Sequence, residues 1–166
     1  SAEFASAWND DTIYLAVKVK DNIKSSGLEG FPMWQHDSIQ FDFDPDMKHK
    51  ASPSTQFGVC LVDDKTAVFR YTTIPTEDIV SEYRMGANPA GVSAKVLRSG
   101  EITVYEVAIK QSAICPTFAI RAGKECGFSL LINDNDGKGR KGWLQWSSGI
   151  GSIRDSSQFG KMIFAE

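Results

Sequence analysis

"WQHDSIQFDFDPD", residues 34–46, decides how this chain folds, because apolar and polar residues alternate in it. A period of two is typical of a β-strand, whose successive side chains point to opposite faces. One apolar face and one polar face predict a half-buried strand. The inward set is Ile39, Phe41 and Phe43, and the outward set is Ser38, Gln40 and Asp42.

The same alternation recurs along the chain and begins with "TIYLAVKVKD", residues 12–21. Further candidate strands lie at 56–62, 66–73, 91–98, 101–110, 126–134, 142–148 and 161–165. Turn residues separate many of them, including Asp63-Asp64, Ser99-Gly100 and Asp136-Gly137. The pattern predicts an all-β fold, a single antiparallel, jelly-roll-like β-sandwich. At most one short helix is expected, within residues 110–119, where Pro116 limits its length.

Length and composition predict one domain over residues 1–166, with 42% hydrophobic residues and a net charge of -3. There is no long basic run, so nucleic acid is not an expected partner. No stretch approaches the roughly 20 apolar residues of a membrane-spanning helix, so membrane insertion is not expected either. The chain starts at Ser1 without a signal segment, and we therefore expect a module excised from a larger multimodular protein.

Three widely spaced cysteines, Cys60, Cys115 and Cys126, form neither a zinc motif nor a full disulfide framework. We interpret them as buried small apolar residues. The alternative is a single Cys115–Cys126 bridge in an oxidising compartment.

Sequence motifs for catalysis are weak, and no enzyme activity is predicted. Asp42, Asp44 and Asp46 are interpreted as the solvated end of a strand rather than as a catalytic carboxylate pair. The two histidines, His36 and His49, lie in loop-like contexts, and there is no Gly-x-Ser-x-Gly motif. "GKGRKG", residues 137–142, lacks the order of a phosphate-binding loop and is interpreted as a hairpin turn.

Two acidic segments, "FDFDPD" (41–46) and "NDNDGKG" (133–139), supply the oxygen ligands that calcium prefers. Neither has the spacing of a calcium-binding loop, and a solvated turn is the alternative interpretation. No cofactor is required, but a structural calcium ion is a candidate. Its ligands would be Asp44, Asp46, Asp134 and Asp136.

Long polar connections at 21–37, 44–55 and 147–158 are where a site is expected. Trp34 lies in the first of them, just before a strand with a polar outward face. An indole ring can stack on the C–H face of a sugar while amides and carboxylates bind its hydroxyls. A tryptophan beside a strand can equally be a packing residue.

The order of motifs resembles the family 9 carbohydrate-binding modules and their family 9-like relatives. The segments that carry the resemblance are "AWNDDTIYLAVKVKD", "WQHDSIQFDFDPD", "QFGV", "YEVAIKQSAI", "GFSLLINDNDGKGRKGWLQWSS" and "SSQFGKMIF". The resemblance implies a non-catalytic β-sandwich that binds polysaccharide, such as xylan or cellulose, in a loop-lined slot. It also implies attachment to bacterial extracellular or cell-surface proteins, whose enzyme modules it would target to plant-type polysaccharide.

The resemblance also implies site residues. Trp34 matches the tryptophan that stacks on the sugar, Gln40 matches a usually acidic position, and Asp21 matches the acid that closes the first shared strand. Asn133, Asp134 and Arg140 match the "ND...G.R" signature. We therefore predict ligand contacts from Trp34, Gln40, Asp21, Asn133 and Arg140.

This chain departs from the family pattern at three positions, which predicts weaker binding or a different ligand. Gln40 lacks the charge of the usual acid, and charge-assisted hydrogen bonds are about twice as strong as neutral ones. Gly58 stands where a basic residue is usual, and Ile153 or its neighbours stand where a second stacking aromatic is usual. Trp143, Trp146 and Tyr83 are the candidate substitutes for that aromatic.

Two other functions stay open at this point. The missing aromatic is compatible with a scaffold or protein-interaction sandwich that has lost its sugar site. Related sandwiches of the cytochrome and DOMON type hold haem through Met, His or Lys ligands. The candidate haem ligands here are Met33, Met85, His36 and His49.

Overall fold

The alternating segments form two antiparallel sheets in this computed structural model, which describes residues 1–25, 27–47, 53–75 and 85–166. The smaller sheet contains β1 (Ala2–Asn9), β2 (Thr12–Lys20), β7 (Val92–Ser99) and β8 (Ile102–Lys110), in the order β1-β2-β8-β7. The larger sheet contains β3 (Ser38–Asp44), β4 (Thr55–Val62), β5 (Lys65–Thr72), β6 (Gly86–Ala87), β9 (Glu125–Asn135) and β10 (Arg140–Gln145). Its order is β10-β9-β3-β4-β5-β6, and β11 (Gly160–Ile163) also pairs with β9.

The core lies between the two sheets and is built from the inward residues that the alternation predicts. Ile39, Phe41 and Phe43 of β3 are all fully buried there. The Phe41 ring centroid lies 6.2 Å from that of Phe43 and 5.6 Å from that of Phe57 on β4. β3 therefore supplies the centre of the aromatic core.

The predicted β-sandwich is confirmed, and each predicted strand forms within a few residues of its expected ends. The single helix, α1 (Gln111–Ile114), is shorter than the segment proposed for it. Two strands, β1 and β6, were not predicted. β1 is an edge strand with mostly exposed side chains and several alanines, so it lacks the apolar alternation that marks a core strand.

The turn predictions also hold. Asp63 and Asp64 both have positive φ, 47° and 60°, which is the conformation of a tight hairpin turn between β4 and β5. Gly100 (φ 56°) connects β7 and β8, and Gly137 (φ 87°) lies in the hairpin between β9 and β10. The segment 137–142 is therefore a hairpin connection that runs into β10, as predicted.

The prediction that β3 is half-buried is wrong, because both faces of the strand are buried. Ser38, Gln40, Asp42 and Asp44 point away from the core, and all four are nearly inaccessible to solvent. The solvated strand end predicted for Asp42 and Asp44 is therefore wrong as well. We call this second, polar side of the larger sheet the covered face.

Two connections bury the covered face. The first, residues 21–37, contains a 3₁₀ turn at Phe31–Gln35, and Ser38 Oγ donates a hydrogen bond to Met33 O at 3.0 Å. The second, residues 146–159, contains a 3₁₀ turn at Ser156–Gln158. Ser129 Oγ of β9 donates to Ser147 O at 2.7 Å, and Ser147 Oγ donates back to Phe128 O at 3.0 Å. Polar side chains on the sheet thus attach the connections that cover it.

Cys60, Cys115 and Cys126 are buried free thiols, in agreement with the apolar interpretation rather than with a bridge. Burial raises the pKa of the Cys60 and Cys126 thiols to about 12. In the part of the chain that the structure describes, no helix is long and apolar enough to cross a membrane.

Phe41→Ala is expected to lower the free energy of unfolding by about 3–5 kcal/mol, because it leaves a cavity at the centre of the core. The matched control is Phe31→Ala, since Phe31 is 52% exposed and touches Tyr71 from outside. We expect that change to cost about 1 kcal/mol or less. Urea denaturation of both variants measures the difference, and equal losses would contradict this assignment of the core.

Candidate functional site

A pocket of about 230 Å³ opens on the covered face beside Trp34. We call it the Trp34 pocket; its lining is Trp34, Gln40, Gln56, Arg140 and residues 150–154. Trp34 comes from the first covering connection, and residues 150–154 come from the second. The remaining lining residues are side chains of β3, β4 and β10, so the sheet forms the floor and the connections form the walls.

Arg140 lies between two tryptophans. Its guanidinium carbon is 5.4 Å from the Trp34 ring centroid and 4.3 Å from that of Trp143. Residues three apart on a regular strand point to opposite faces, but the register of β10 shifts between Arg140 and Gly142. This irregularity places Arg140 and Trp143 on the same face, opposite Asn135 and Asn133 of β9.

Arg140 has unused hydrogen-bond donors. Its Nε and Nη2 atoms are buried and have no hydrogen-bond partner among the described residues. Burial also lowers the pKa of Arg140 from its ordinary value. A guanidinium that is held by two rings but not by acceptors is suited to bind the oxygens of a ligand.

Gln40 is oriented by Asn133, which lies behind it. Asn133 Nδ2 donates to Gln40 Oε1 at 3.2 Å and to Ser38 Oγ at 3.0 Å. The oxygen of the Gln40 amide is therefore engaged, and its NH₂ group is the end that is available to a ligand. Asn133 is itself buried and does not line the Trp34 pocket, so the structure makes it a support for Gln40 rather than a wall of the pocket.

Gly58 explains how Trp34 reaches the sheet. A Cβ atom at this position would lie 2.7 Å from Met33 Sδ and 2.7 Å from Tyr71 Cε2. The space that a basic side chain would need is therefore filled by the 3₁₀ turn that carries Trp34. The absence of a side chain at residue 58 allows this turn to pack directly on β4.

Ile153 lines the Trp34 pocket and is 49% exposed, at the position where the second stacking aromatic was expected. Of the candidate substitutes, Trp143 is 41% exposed and lies on the other side of Arg140 from Trp34. Trp146 packs on Phe4 and Phe128, with centroid distances of 5.8 and 5.9 Å, and so serves packing. Tyr83 lies outside the described residues.

Asp21 does not line the Trp34 pocket. Its carboxylate lies 3.9 Å from Arg98 Nη1, in a separate cavity at the end of the sandwich. Ligand oxygens of Asp21, Asp134 and Asp136 come within 4.8 Å of one another there. Lys141 forms ion pairs with both Asp134 and Asp136, so a cation already balances this group. Calcium binding by Asp134 and Asp136 stays a prediction.

Asp44 and Asp46, the other two candidate calcium ligands, are not part of that acidic group. Asp44 Oδ1 accepts hydrogen bonds from the backbone amides of Asp46 at 3.2 Å and Met47 at 3.0 Å. This carboxylate therefore stabilises the turn that follows β3.

The candidate haem ligands are dispersed. Met33 is fully buried in a cluster with Cys60, Phe69 and Tyr71, whereas Met85 is 59% exposed. His36 Nδ1 lies 3.4 Å from Ser25 Oγ, and His49 is outside the described residues. The packing around Met33 leaves its sulfur in contact with protein, which does not favour an axial-ligand role.

A second pocket, of about 280 Å³, adjoins the first, and Gln56 and Arg154 line both. We call it the Asp42 pocket. Asp42 is only 6% exposed, and its Oδ1 has no hydrogen-bond partner among the described residues. Burial raises the pKa of Asp42 to about 7, against the opposing effect of a hydrogen bond from Ser54. The sequence did not indicate this pocket.

Asp42→Asn is expected to stabilise the protein at pH 8 and to have much less effect near pH 4. The pKa of Asp42 is raised above its ordinary value of 3.8, so the unfolded chain loses the proton first as the pH rises. Stability therefore falls from about pH 4 until the folded protein ionises near pH 7. The asparagine does not ionise, and we expect a gain of about 1–4 kcal/mol at pH 8.

Urea denaturation at both pH values measures this effect, and Asp10→Asn is the control because it removes the same charge from an exposed turn. An Asp42→Asn effect that is the same at pH 4 and pH 8 would contradict the assigned burial of the carboxyl group.

Comparisons with known proteins agree with this geometry. Residues 1–166 match the family model described as carbohydrate family 9 binding domain-like. The structure is similar to a family 9 carbohydrate-binding module from Caldicellulosiruptor kristjanssonii in complex with cellotriose. The identity is 16%, with 99% of this chain and 74% of that chain covered and a TM-score of 0.72.

A family 9 module from the same organism in complex with glucose gives 17% identity, coverage of 98% and 75%, and a TM-score of 0.72. A comparison with curated proteins found no match. At these identities the structural similarity shows the fold alone. The family model, however, spans the whole chain, and this protein therefore belongs to the carbohydrate family 9 binding domain-like family.

Proposed function

We propose that this protein is a non-catalytic module that binds carbohydrate in the Trp34 pocket. The observation that carries the proposal is the meeting of an indole, an unpartnered guanidinium and an oriented amide in one pocket. Sugars present both apolar C–H faces and hydroxyl groups, so they match this combination.

In the proposed binding mode, the exposed surface of Trp34 stacks on the C–H face of one sugar ring. Arg140 covers part of that indole and donates hydrogen bonds from Nε and Nη2 to hydroxyl or ring oxygens. The Gln40 amide nitrogen adds a further donor. Burial of these donors raises their value to a ligand, because a donor without a partner in the interior costs stability until it is paired.

Trp143 compensates in part for the missing second aromatic. It holds Arg140 from the side opposite Trp34 and keeps a large exposed surface. Ile153 supplies an apolar wall where a second ring is absent, so the pocket grips the sugar from one aromatic side only. This arrangement supports weak binding of a small unit rather than tight enclosure.

The ligand class follows from the relatives. The similar modules from C. kristjanssonii were solved with cellotriose and with glucose, so glucose units of plant-type polysaccharide are the first ligands to test. We propose that the module belongs to a bacterial extracellular or cell-surface protein and that it brings an attached enzyme to its polysaccharide.

Calorimetric titration of the domain with glucose and cellotriose tests the proposal. We expect saturable binding by wild type and about a 10- to 100-fold loss of affinity in Trp34→Ala, because a central stacking residue supplies a large part of the binding energy. Tyr14→Ala is the matched control, since Tyr14 is an equally exposed aromatic on the outer face of the smaller sheet.

Circular dichroism melts of both variants separate loss of binding from loss of fold. Equal affinities for wild type and Trp34→Ala would contradict the site. The absence of heat from a folded wild-type protein with either sugar would contradict the ligand class and would favour the scaffold function.

A further inference from the structure

We propose that the Asp42 pocket is a second sugar subsite, which holds the unit next to the one bound in the Trp34 pocket. The domain would then select an oligosaccharide over a monosaccharide. The inference rests on the proposed function, because the first sugar unit must occupy the Trp34 pocket.

The two pockets are continuous along the covered face. Gln56 and Arg154 line both of them, and Gln56 of β4 lies directly opposite Asp42 of β3 in the sheet register. Their volumes, about 230 and 280 Å³, are each below the roughly 300–1,000 Å³ typical of pockets for drug-sized ligands. Each pocket therefore fits one small unit, and the pair fits two linked units.

Unpartnered oxygens mark the passage between the pockets. Asp42 Oδ1 and Gln56 Oε1 are both buried and lack a hydrogen-bond partner within the described part of the chain. Buried acceptors in a folded protein are normally paired, so these two oxygens require donors from elsewhere. A sugar hydroxyl is such a donor, and it also accepts, which suits the exposed guanidinium of Arg154 across the pocket.

Charge favours a neutral sugar in this subsite. The charged groups around Asp42 are Asp44 on its own strand and Arg154 and Asp155 on the covering connection, whereas Gln56 and Ser129 on the flanking strands are uncharged. A ligand carboxylate would be repelled by Asp42 and Asp155. Hydroxyl groups would instead gain a charge-assisted bond from the ionised Asp42.

The test compares glucose with cellotriose by calorimetry at pH 8, where Asp42 is ionised. We expect wild type to bind cellotriose about tenfold more tightly than glucose or better, the factor that one hydrogen bond to a charged group supplies. Asp42→Leu should remove this advantage and keep the affinity for glucose, and Asp42→Asn should give an intermediate ratio. At pH 5.5 the wild-type ratio should fall toward that of Asp42→Asn.

Two further variants complete the design. Thr73→Phe fills part of the Asp42 pocket from its partly exposed rim and should also remove the advantage, so it decides the case if Asp42→Leu does not fold. Asp10→Asn removes an acidic charge from the other sheet and should leave the ratio unchanged.

The outcomes separate the two proposals. Normal glucose binding with an unchanged cellotriose-to-glucose ratio in Asp42→Leu and Thr73→Phe would overturn the second subsite and leave the first intact. Failure of wild type to bind either sugar would overturn both.

Discussion

Burial of both faces of β3 is the constraint on which the rest of the structure depends. Its inward face supplies Phe41 at the centre of the core, and its other face presents polar groups that two connections remove from solvent. Buried polar groups need partners, and most of these are paired with the strands and connections around them. The few that are not, on Asp42, Gln56 and Arg140, lie where the two pockets open. The site is thus the part of the covered face that the protein leaves unsatisfied.

Three local features turn this face into a site. Gly58 allows the turn that carries Trp34 to pack on the sheet, the irregular register of β10 brings Arg140 and Trp143 to one side, and Asn133 fixes the amide of Gln40. None of these residues needs to touch a sugar for the pocket to depend on it. Unpaired groups and a buried carboxyl group reduce stability, which is a common property of binding sites.

The sequence predicts the inward half of the structure well, because alternation is a local property that the core imposes on each strand. It does not predict that the polar half is buried, since coverage depends on connections distant in the chain. Trp34, Gln40 and Arg140 were predicted from family resemblance, and the structure places them in one pocket. Gln56 and Arg154 were missed because they join the site only through strand pairing and the return of residues 146–159. Asp21 was predicted to bind ligand, but it lies in a separate cavity beside Arg98.

The central claim, that a sugar binds beside Trp34, is tested most directly by the indole N–H resonances of the four tryptophans during an NMR titration with cellotriose. The account predicts that the signals of Trp34 and Trp143 shift with saturation. It also predicts that Trp8, whose Nε1 donates to Ala165 O at 2.9 Å, keeps its position. Unmoved Trp34 and Trp143 signals at sugar concentrations that saturate binding, or shifts confined to Trp8 and Trp146, would contradict it.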